Sequence, residues 1–494
     1  MNSTNFTSGM KIHSFVLILS TCLASAVQSQ NLIQESINRL KSDPDLEHAS
    51  ISFIVTEAGS NKRIAELNPS TAMPTASTAK LFSTAGALEL LGPDYRPQTR
   101  LYIFGDLKDG ILTGDLVIRG GGDVTLGSRY FTEGGKQKAF YKTWCDTIKK
   151  LGIKEIKGKV IADGSEFGYH GVPDGWPWSD IGNYYGAGPS GICLYDNSIR
   201  FTFRTGPKPG SPAELIEMWP RIPDLKFTNN ITADNVSGDN SYIYGAPYSY
   251  ERFSSGSLPL NRASYEVRGS HPDPEWQLAY DLKQELISSG IPVEGVPTGF
   301  RTAQLRPFNY QINGKLLYTH YGKSIQDITT LTNMKSINLF AEGLICMIGH
   351  KLSGNGSTEK GIQLLTSHLN TKMSVHGLLL QDGSGLSRNN GISATHFSHL
   401  LNMMYQGPNF KNYLSTLPVA GRSGTIASLC KGGSGEGRIH AKSGSMSKTR
   451  SYAGYVMSKS GKTLIFSISV NNYTCSGSAV VRKIENVLNS IALY

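Results

Sequence analysis

At 494 residues the chain is several times the length of an ordinary domain, so it can bury a large core and hold more than one module. Hydrophobic residues at 39%, charged residues at 17% and aromatics at 9% exclude a disordered chain, a coiled coil and a polytopic membrane protein; 54 glycines and 22 prolines without a strict repeat exclude a fibrous one. The net charge of +10 would suit a polyanionic neighbour, but with no dense Lys/Arg block, zinc spacing or basic helix it reads as an ordinary surface, and no nucleic-acid partner is expected.

Residues 1–26 read as an export signal. Lys11 precedes the apolar run from Phe15 to Leu19, and Ala24-Ser-Ala26 places small residues at both positions a signal peptidase reads. The run is too short to span a bilayer, so a periplasmic or secreted protein with no firm membrane anchor is expected. A competing reading is a lipoprotein signal at Leu19-Ser-Thr-Cys22, against which stands the bulk of Thr21. Six cysteines become five once the signal is removed, an odd number without C-x-x-C spacing, which argues against a disulfide framework and a structural zinc site.

Ser50 to Thr56 alternates apolar and polar residues as a strand does, with Arg63 to Leu67 as its hairpin partner. Pro74 and the hydroxyl residues after it start a helix that Gly92 stops. From about residue 95 the texture changes to short strands and Gly-rich turns, and residues 200–265, rich in Pro, Asn, Ser and Tyr, read as a small β module. Helical periodicity returns at Trp276 to Ile287 and Ser336 to His350. Strands are expected at 438–444, 451–457 and 463–470, then a closing helix near Ala479 to Leu493 with Val480, Ile484, Val487 and Ile491 on one core-facing stripe. The outline is an α/β unit formed by 30–94 and 290–494, split by a β-rich insertion at 95–289 that contains the small module.

Three short motifs follow in order: Ser77-Thr-Ala-Lys80, Ser336-Ile-Asn338 and Lys442-Ser443-Gly444. Each recurs by chance, S-x-x-K at Ser357, Ser428 and Ser445, Ser-Ile-Asn at Ser36 and Lys-Ser-Gly at Lys459, but only this set falls in fitting local structure. Ser77 heads a long apolar helix, Ser336 precedes another, and Lys442 ends a strand. Alone, Ser77 would read as a helix cap; the ordered set points to an activated serine. Residues three apart on a helix share a face, which places Ser77 within reach of Lys80. A lysine acts as a base only when neutral, and burial and the second cation Lys442 both lower its pKa. The N–H groups of Ser77 and Ser445 are candidates for an oxyanion hole.

This triple is the signature of β-lactamases and penicillin-binding proteins. The chain resembles, over nearly all of its mature length, the low-molecular-mass class C penicillin-binding proteins, D-alanyl-D-alanine carboxypeptidase/endopeptidases of penicillin-binding protein 4 type. The resemblance is carried by Pro74-Thr-Ala-Ser-Thr-Ala-Lys80, Gly120-Gly-Gly-Asp123, Trp176-Pro-Trp-Ser-Asp180, Ser336-Ile-Asn-Leu-Phe-Ala-Glu342, Asp382-Gly-Ser-Gly-Leu-Ser-Arg388 and Leu417-Pro-Val-Ala-Gly-Arg-Ser-Gly-Thr425. Ser443 replaces a commoner threonine, and Ile337 stands where Asp, Val or Cys is usual. The 256 positions from Lys80 to Ser336 match a family whose insertion carries a further nested domain.

The resemblance implies a serine β-lactamase/transpeptidase-like domain, an antiparallel sheet with flanking helices, split by the insertion. It implies Ser77 as nucleophile, Lys80 as base, Ser336 as proton relay and Asn338 on the substrate amide. Lys442 and Ser443 would bind the terminal carboxylate or assist the relay, with Gly444 and Ser445 beside them about the substrate and its oxyanion. Asp180 would meet the free amine of a stem-peptide diamino acid, with Arg388 helping to orient the peptide; a helix cap or turn beside an aromatic cluster is the structural alternative for Asp180. The expected partners are peptidoglycan stem peptides and β-lactam antibiotics, with no metal and no cofactor. One rival is a β-lactamase, but the only E-x-x-L-N run, Glu485 to Asn489, follows Lys442 instead of preceding it. The other is a non-catalytic peptidoglycan-binding or β-lactam-sensing protein, expected to lack part of the triple.

Overall fold

A computed structural model describes residues 31–132, 136–303 and 308–494. The export signal and Cys22 lie outside these residues. The chain divides into two compact units: one comprises the described residues up to Thr78 with Lys372–Leu379 and Gly391–Tyr494, the other Ala79–Thr371 with Leu380–Asn390. Among the described residues no helix is long and apolar enough to cross a membrane.

The first unit is built on a five-stranded antiparallel sheet in the order Ile439–Met446, Thr449–Met457, Thr463–Asn471, Ser50–Glu57, Arg63–Leu67. The two-residue period of a strand sends alternate side chains to opposite faces. Phe53 and Val55, with Leu464, Phe466, Ile468 and Val470, enter a core closed by the helix Gly477–Ala492 and by a helix over 31–41. The expected stripe of Val480, Ile484, Val487 and Ile491 lies in that core, and Ser476 caps the helix by accepting the Ala479 N–H. On the other face Ser52 and Thr56 hydrogen-bond the helix Ala394–Gln406, through the Ala394 N–H and the Ser398 hydroxyl.

In the second unit the long hairpin of Gln98–Lys108 and Ile111–Gly120 centres a six-stranded sheet, with Lys315–Tyr321 beyond one arm, Val160–Asp163 and Thr298–Gly299 beyond the other, and the short Glu155–Ile156 paired to Ile111–Gly120. Helices Ala139–Lys150 and Pro274–Ser288 cover it, burying Tyr141, Trp144, Ile148, Leu278, Leu282 and Leu286. Between Ser198 and Ser270 two three-stranded sheets enclose a separate small core of Ile199, Phe201, Phe203, Ile231, Ile243, Leu258 and Val267. Helices Lys80–Leu90, Ile325–Lys335, Asn338–Ser353 and Thr358–Asn370 pack together.

Two local expectations need correction. Ser77 does not open the α-helix: it sits in a 3-10 turn, Ala76–Ala79, and the α-helix begins at Lys80. Lys442 does not end its strand, which continues to Met446. Ala441 is the last apolar residue before Lys442, but ladder bonds to Thr449–Met457 do not depend on side-chain polarity.

Phe466 is wholly buried in the sheet–helix core of the first unit. Phe466→Ala is expected to destabilise that unit by about 3–5 kcal/mol, seen as a lower denaturant midpoint, because the lost contacts leave a cavity.

Candidate active site

In the first unit the turn bearing Ser77 is fixed by hydroxyls. The Thr78 hydroxyl donates to Thr75 O at 2.7 Å and lies 3.0 Å from Ser451 Oγ, while the Ser451 hydroxyl donates to the same Thr75 carbonyl. Asn471 Nδ2 donates to Pro74 O at 2.9 Å. Thr75 and Thr78 are buried, whereas Ser77 keeps partial solvent contact. Beside this turn runs the strand of Lys442-Ser-Gly444. A Cβ on Gly444 would lie 2.2 Å from Thr75 O and 2.9 Å from Thr78 N, so only glycine lets the strand approach the turn this closely.

That strand is the sheet's edge. The Ala441 N–H turns outward to Pro418 O, and the two-residue alternation directs the N–H groups of Ser443 and Ser445 to the same side. Ser445 is exposed. The Ser443 and Thr425 hydroxyls lie 2.7 Å apart, and the buried Lys442 donates from Nζ to Ser443 O at 2.7 Å. An outward N–H next to the Ser77 turn is the kind of donor a developing oxyanion needs.

The second unit carries Lys80 at the first position of its helix, with no solvent contact. Nζ donates to Asn338 Oδ1 and to the main-chain carbonyl of Ser384, each at 2.7 Å. Burial pulls the Lys80 amine down to about 7, against the opposing pull of the Asp382 and Glu342 carboxylates. Asn338 opens the next helix and donates from Nδ2 to Tyr185 O at 2.8 Å, which fixes its oxygen toward the lysine. Ser336 stands between the helices Ile325–Lys335 and Asn338–Ser353 in the left-handed region, φ 61° and ψ 39°, a conformation that costs a side-chain-bearing residue roughly 1–2 kcal/mol.

Asp180 is at the third position of the short helix Trp178–Ile181, where Pro177 occupies the N-cap position, so the capping alternative does not hold. Its carboxylate accepts from the Tyr185 hydroxyl at 3.2 Å; burial raises its pKa, opposed by Tyr185 and by the cation of Arg388. Trp176 Nε1 donates to Asp382 Oδ2 at 2.9 Å, and a Cβ on Gly175 would lie 2.5 Å from Ser387 Oγ. The segment 175–180 is thereby seated on the loop Asp382–Asn390, with Arg388 exposed and close enough to act on Asp180. Asn183 ties the same segment to the small β module, accepting the Ile243 N–H through Oδ1 at 3.0 Å.

The D-Ala-D-Ala carboxypeptidase 3 (S13) family matches residues 33–492. The chain belongs to this family. It is 26% identical over 458 residues to a D-alanyl-D-alanine carboxypeptidase of Actinomadura sp. (strain R39), covering 89% of this chain and 81% of the relative. The crystal structure of penicillin binding protein 4 from Haemophilus influenzae superposes with a TM-score of 0.78 at 22% identity, covering 93% of this chain and 99% of the other. The same Haemophilus protein complexed with a β-lactam superposes at 0.72, with 20% identity and the same coverages. The fold is therefore that of a penicillin-binding protein 4, and the chain is a serine-type D-Ala-D-Ala carboxypeptidase.

Sequence reasoning missed the groups that hold this S13 site together. Glu342, Asp382 and Trp176 lay in quoted motifs without a role. Tyr185 acts on Asn338 through a main-chain carbonyl, which leaves no side-chain signal. Glu342 could have been found, as a lone acid in the apolar run Leu339 to Ile348.

The left-handed Ser336 separates backbone from hydroxyl effects. Ser336→Gly and Ser336→Ala are expected to lose D-alanine release to a similar extent, while the glycine variant unfolds at a higher temperature, by about 1 kcal/mol of stability, because it alone relieves the backbone. Parallel kinetic assays and thermal melts check both parts.

Proposed function

We propose that the carboxypeptidase works through an acyl-enzyme on Ser77, is acylated by penicillins at the same residue, and also cleaves D-alanyl cross-links as a DD-endopeptidase. The observation that carries this reading is the buried Lys80 amine, lowered to about 7 and gripped by two acceptors. A neutral amine has two N–H bonds and one lone pair. Nζ donates to Asn338 and to Ser384, and in the neutral form its lone pair can accept a proton. Ser77 precedes it by three residues, in the turn Ala76–Ala79 that leads into its helix.

Ser77 Oγ attacks the carbonyl of the penultimate D-alanine, and its proton passes to Lys80. The N–H groups of Ser77 and Ser445 stabilise the tetrahedral oxyanion. Ser336 relays a proton to the leaving amine, D-alanine departs, and water then hydrolyses the ester on Ser77. Lys442 and Ser443, with Gly444 giving close access, receive the terminal carboxylate. Asn338 meets the substrate amide with the N–H not spent on Tyr185. Asp180 takes the ammonium of a stem-peptide diamino acid by a charge-assisted hydrogen bond, with Arg388 orienting the peptide. In this reading the chain is exported by its signal and acts on peptidoglycan stem peptides, and the catalytic domain of 30–94 and 290–494 carries 95–289 as an insertion with the module at 200–265 nested in it.

The purified mature chain is expected to release D-alanine from a peptide ending in D-Ala-D-Ala, and Ser77→Ala to abolish release. Wall binding without release would overturn the reading. A fluorescent penicillin should leave a lasting ester on Ser77; rapid multiple turnover would identify a β-lactamase instead.

Lys80 as base gives a signed pH dependence. The neutral form is the competent one, so the acylation rate should climb as pH rises through about 7 and level off above it. Lys80→Ala should lose acylation, and a wild-type rate in that variant would remove the lysine from the role.

Asp180→Ala is expected to lower kcat/KM on a stem peptide with a free side-chain amine, while sparing the acetylated peptide and penicillin acylation. Equal losses on all three would return Asp180 to a structural part.

A further inference from the structure

We infer that Glu342 is a positioning residue for Lys80: its buried carboxylate grips the main-chain N–H groups of Gly383 and Ser384 and so fixes the Ser384 carbonyl that holds the lysine amine. The inference rests on the proposed role of Lys80 as the base.

The geometry is that of a main-chain clamp. Glu342 Oε2 accepts from Gly383 N at 3.0 Å and Oε1 from Ser384 N at 2.7 Å. The Ser83 hydroxyl, three residues beyond Lys80 on the same helix, donates to Gly383 O. The next peptide plane has Gly385 N on Asp382 Oδ1 at 2.8 Å and Ser384 O on Lys80 Nζ at 2.7 Å. Three consecutive peptide planes are thus pinned, and the last presents its carbonyl to the amine.

Asp382 already closes the loop. Its two oxygens also accept from Ser387 N, Asn390 Nδ2, Trp176 Nε1 and the Ser384 hydroxyl. A second buried carboxylate a few residues away in space is expensive, since each must be stripped of water and like charges oppose one another. Burial and the Asp382 carboxylate both raise the pKa of Glu342. Loop closure alone does not call for that cost; aim at the amine does. Asn338 and Glu342 are four residues apart on one helix and share a face, so the same helix holds Lys80 twice, directly through Asn338 and indirectly through the loop.

The test separates chemistry from binding. With a slowly reacting penicillin, the saturating acylation rate and the dissociation constant of the complex that precedes it are measured for wild type, Glu342→Gln and Ser83→Ala. Glutamine offers one oxygen to two N–H donors and loosens the clamp. The expected result is a saturating rate at least about 10-fold lower in Glu342→Gln, with the dissociation constant within about twofold, because a small misplacement of the base is felt in the chemical step. Ser83→Ala should lower the same rate by a smaller factor, and it keeps the inference testable if Glu342→Gln fails to fold. A folded Glu342→Gln with the wild-type rate, a loss confined to the dissociation constant, or an unaffected Ser83→Ala would each overturn the positioning role. Wild type run in parallel distinguishes the two readings: if it forms no ester on Ser77, the acyl-enzyme proposal fails, whereas a reactive wild type with an equally reactive variant removes only Glu342.

Discussion

A lysine amine sealed from water is the constraint on which the rest of this site depends. Lys80 has no solvent contact, yet two carboxylates act on it in favour of the charged form. Burial wins. The net fall from 10.5 to about 7, roughly 5 kcal/mol against the ammonium, is what remains of the burial cost after the attraction that Asp382 and Glu342 return. A neutral amine in a protein interior still needs acceptors for its N–H bonds, which explains why a side-chain oxygen and a main-chain carbonyl both stand at 2.7 Å. Those acceptors need holding in turn. The Asn338 amide is fixed by the Tyr185 carbonyl, and the Ser384 carbonyl by the loop that Asp382 and Glu342 organise.

The residues between Lys80 and Ser336 accordingly contribute to this environment instead of merely filling the gap between motifs. Trp176 supplies a donor to Asp382, and Tyr185 supplies the acceptor for Asn338. Asn183 fastens the same stretch to a strand of the small β module through the Ile243 N–H. Asn183 and Tyr185 are two residues apart along the chain, so the residue bonded to the module and the residue whose carbonyl holds Asn338 belong to one short stretch.

Much of the fold was legible because it follows from burial patterns. The alternation at Ser50–Glu57 and the closing-helix stripe of Val480, Ile484, Val487 and Ile491 are direct imprints of a sheet packed on helices, and both sit where periodicity places them. The misreadings fall where chemistry overrides that pattern. Lys442 reads as the end of the strand expected at 438–444, although the ladder carries this wholly buried lysine through to Met446. Ser77 looked like the start of an α-helix because a 3-10 turn of hydroxyl residues has no separate signature; what fixes the turn is Ser451 and Asn471, nearly 400 positions away. Main-chain acceptors such as Tyr185 O and Ser384 O were beyond reach, since any residue carries a carbonyl.

An edge strand at such a site meets two opposing demands. It has to offer outward N–H groups to an extended peptide, yet a long exposed edge invites pairing with other chains. The strand Ile439–Met446 divides the task along its length. Its first half is covered: Ala420 N donates to Ile439 O and Ala441 N to Pro418 O. This cover reaches Ala441 and gives way to the Lys-Ser-Gly run, where Gly444 allows close approach to the Ser77 turn and Ser445 is exposed. The outward-facing part is only a few residues long, the N–H groups of Ser443 and Ser445 with the buried Lys442 behind them. That length matches the short end of a peptide better than a second sheet, so the same geometry that recommends the strand as a docking edge also limits what can dock there.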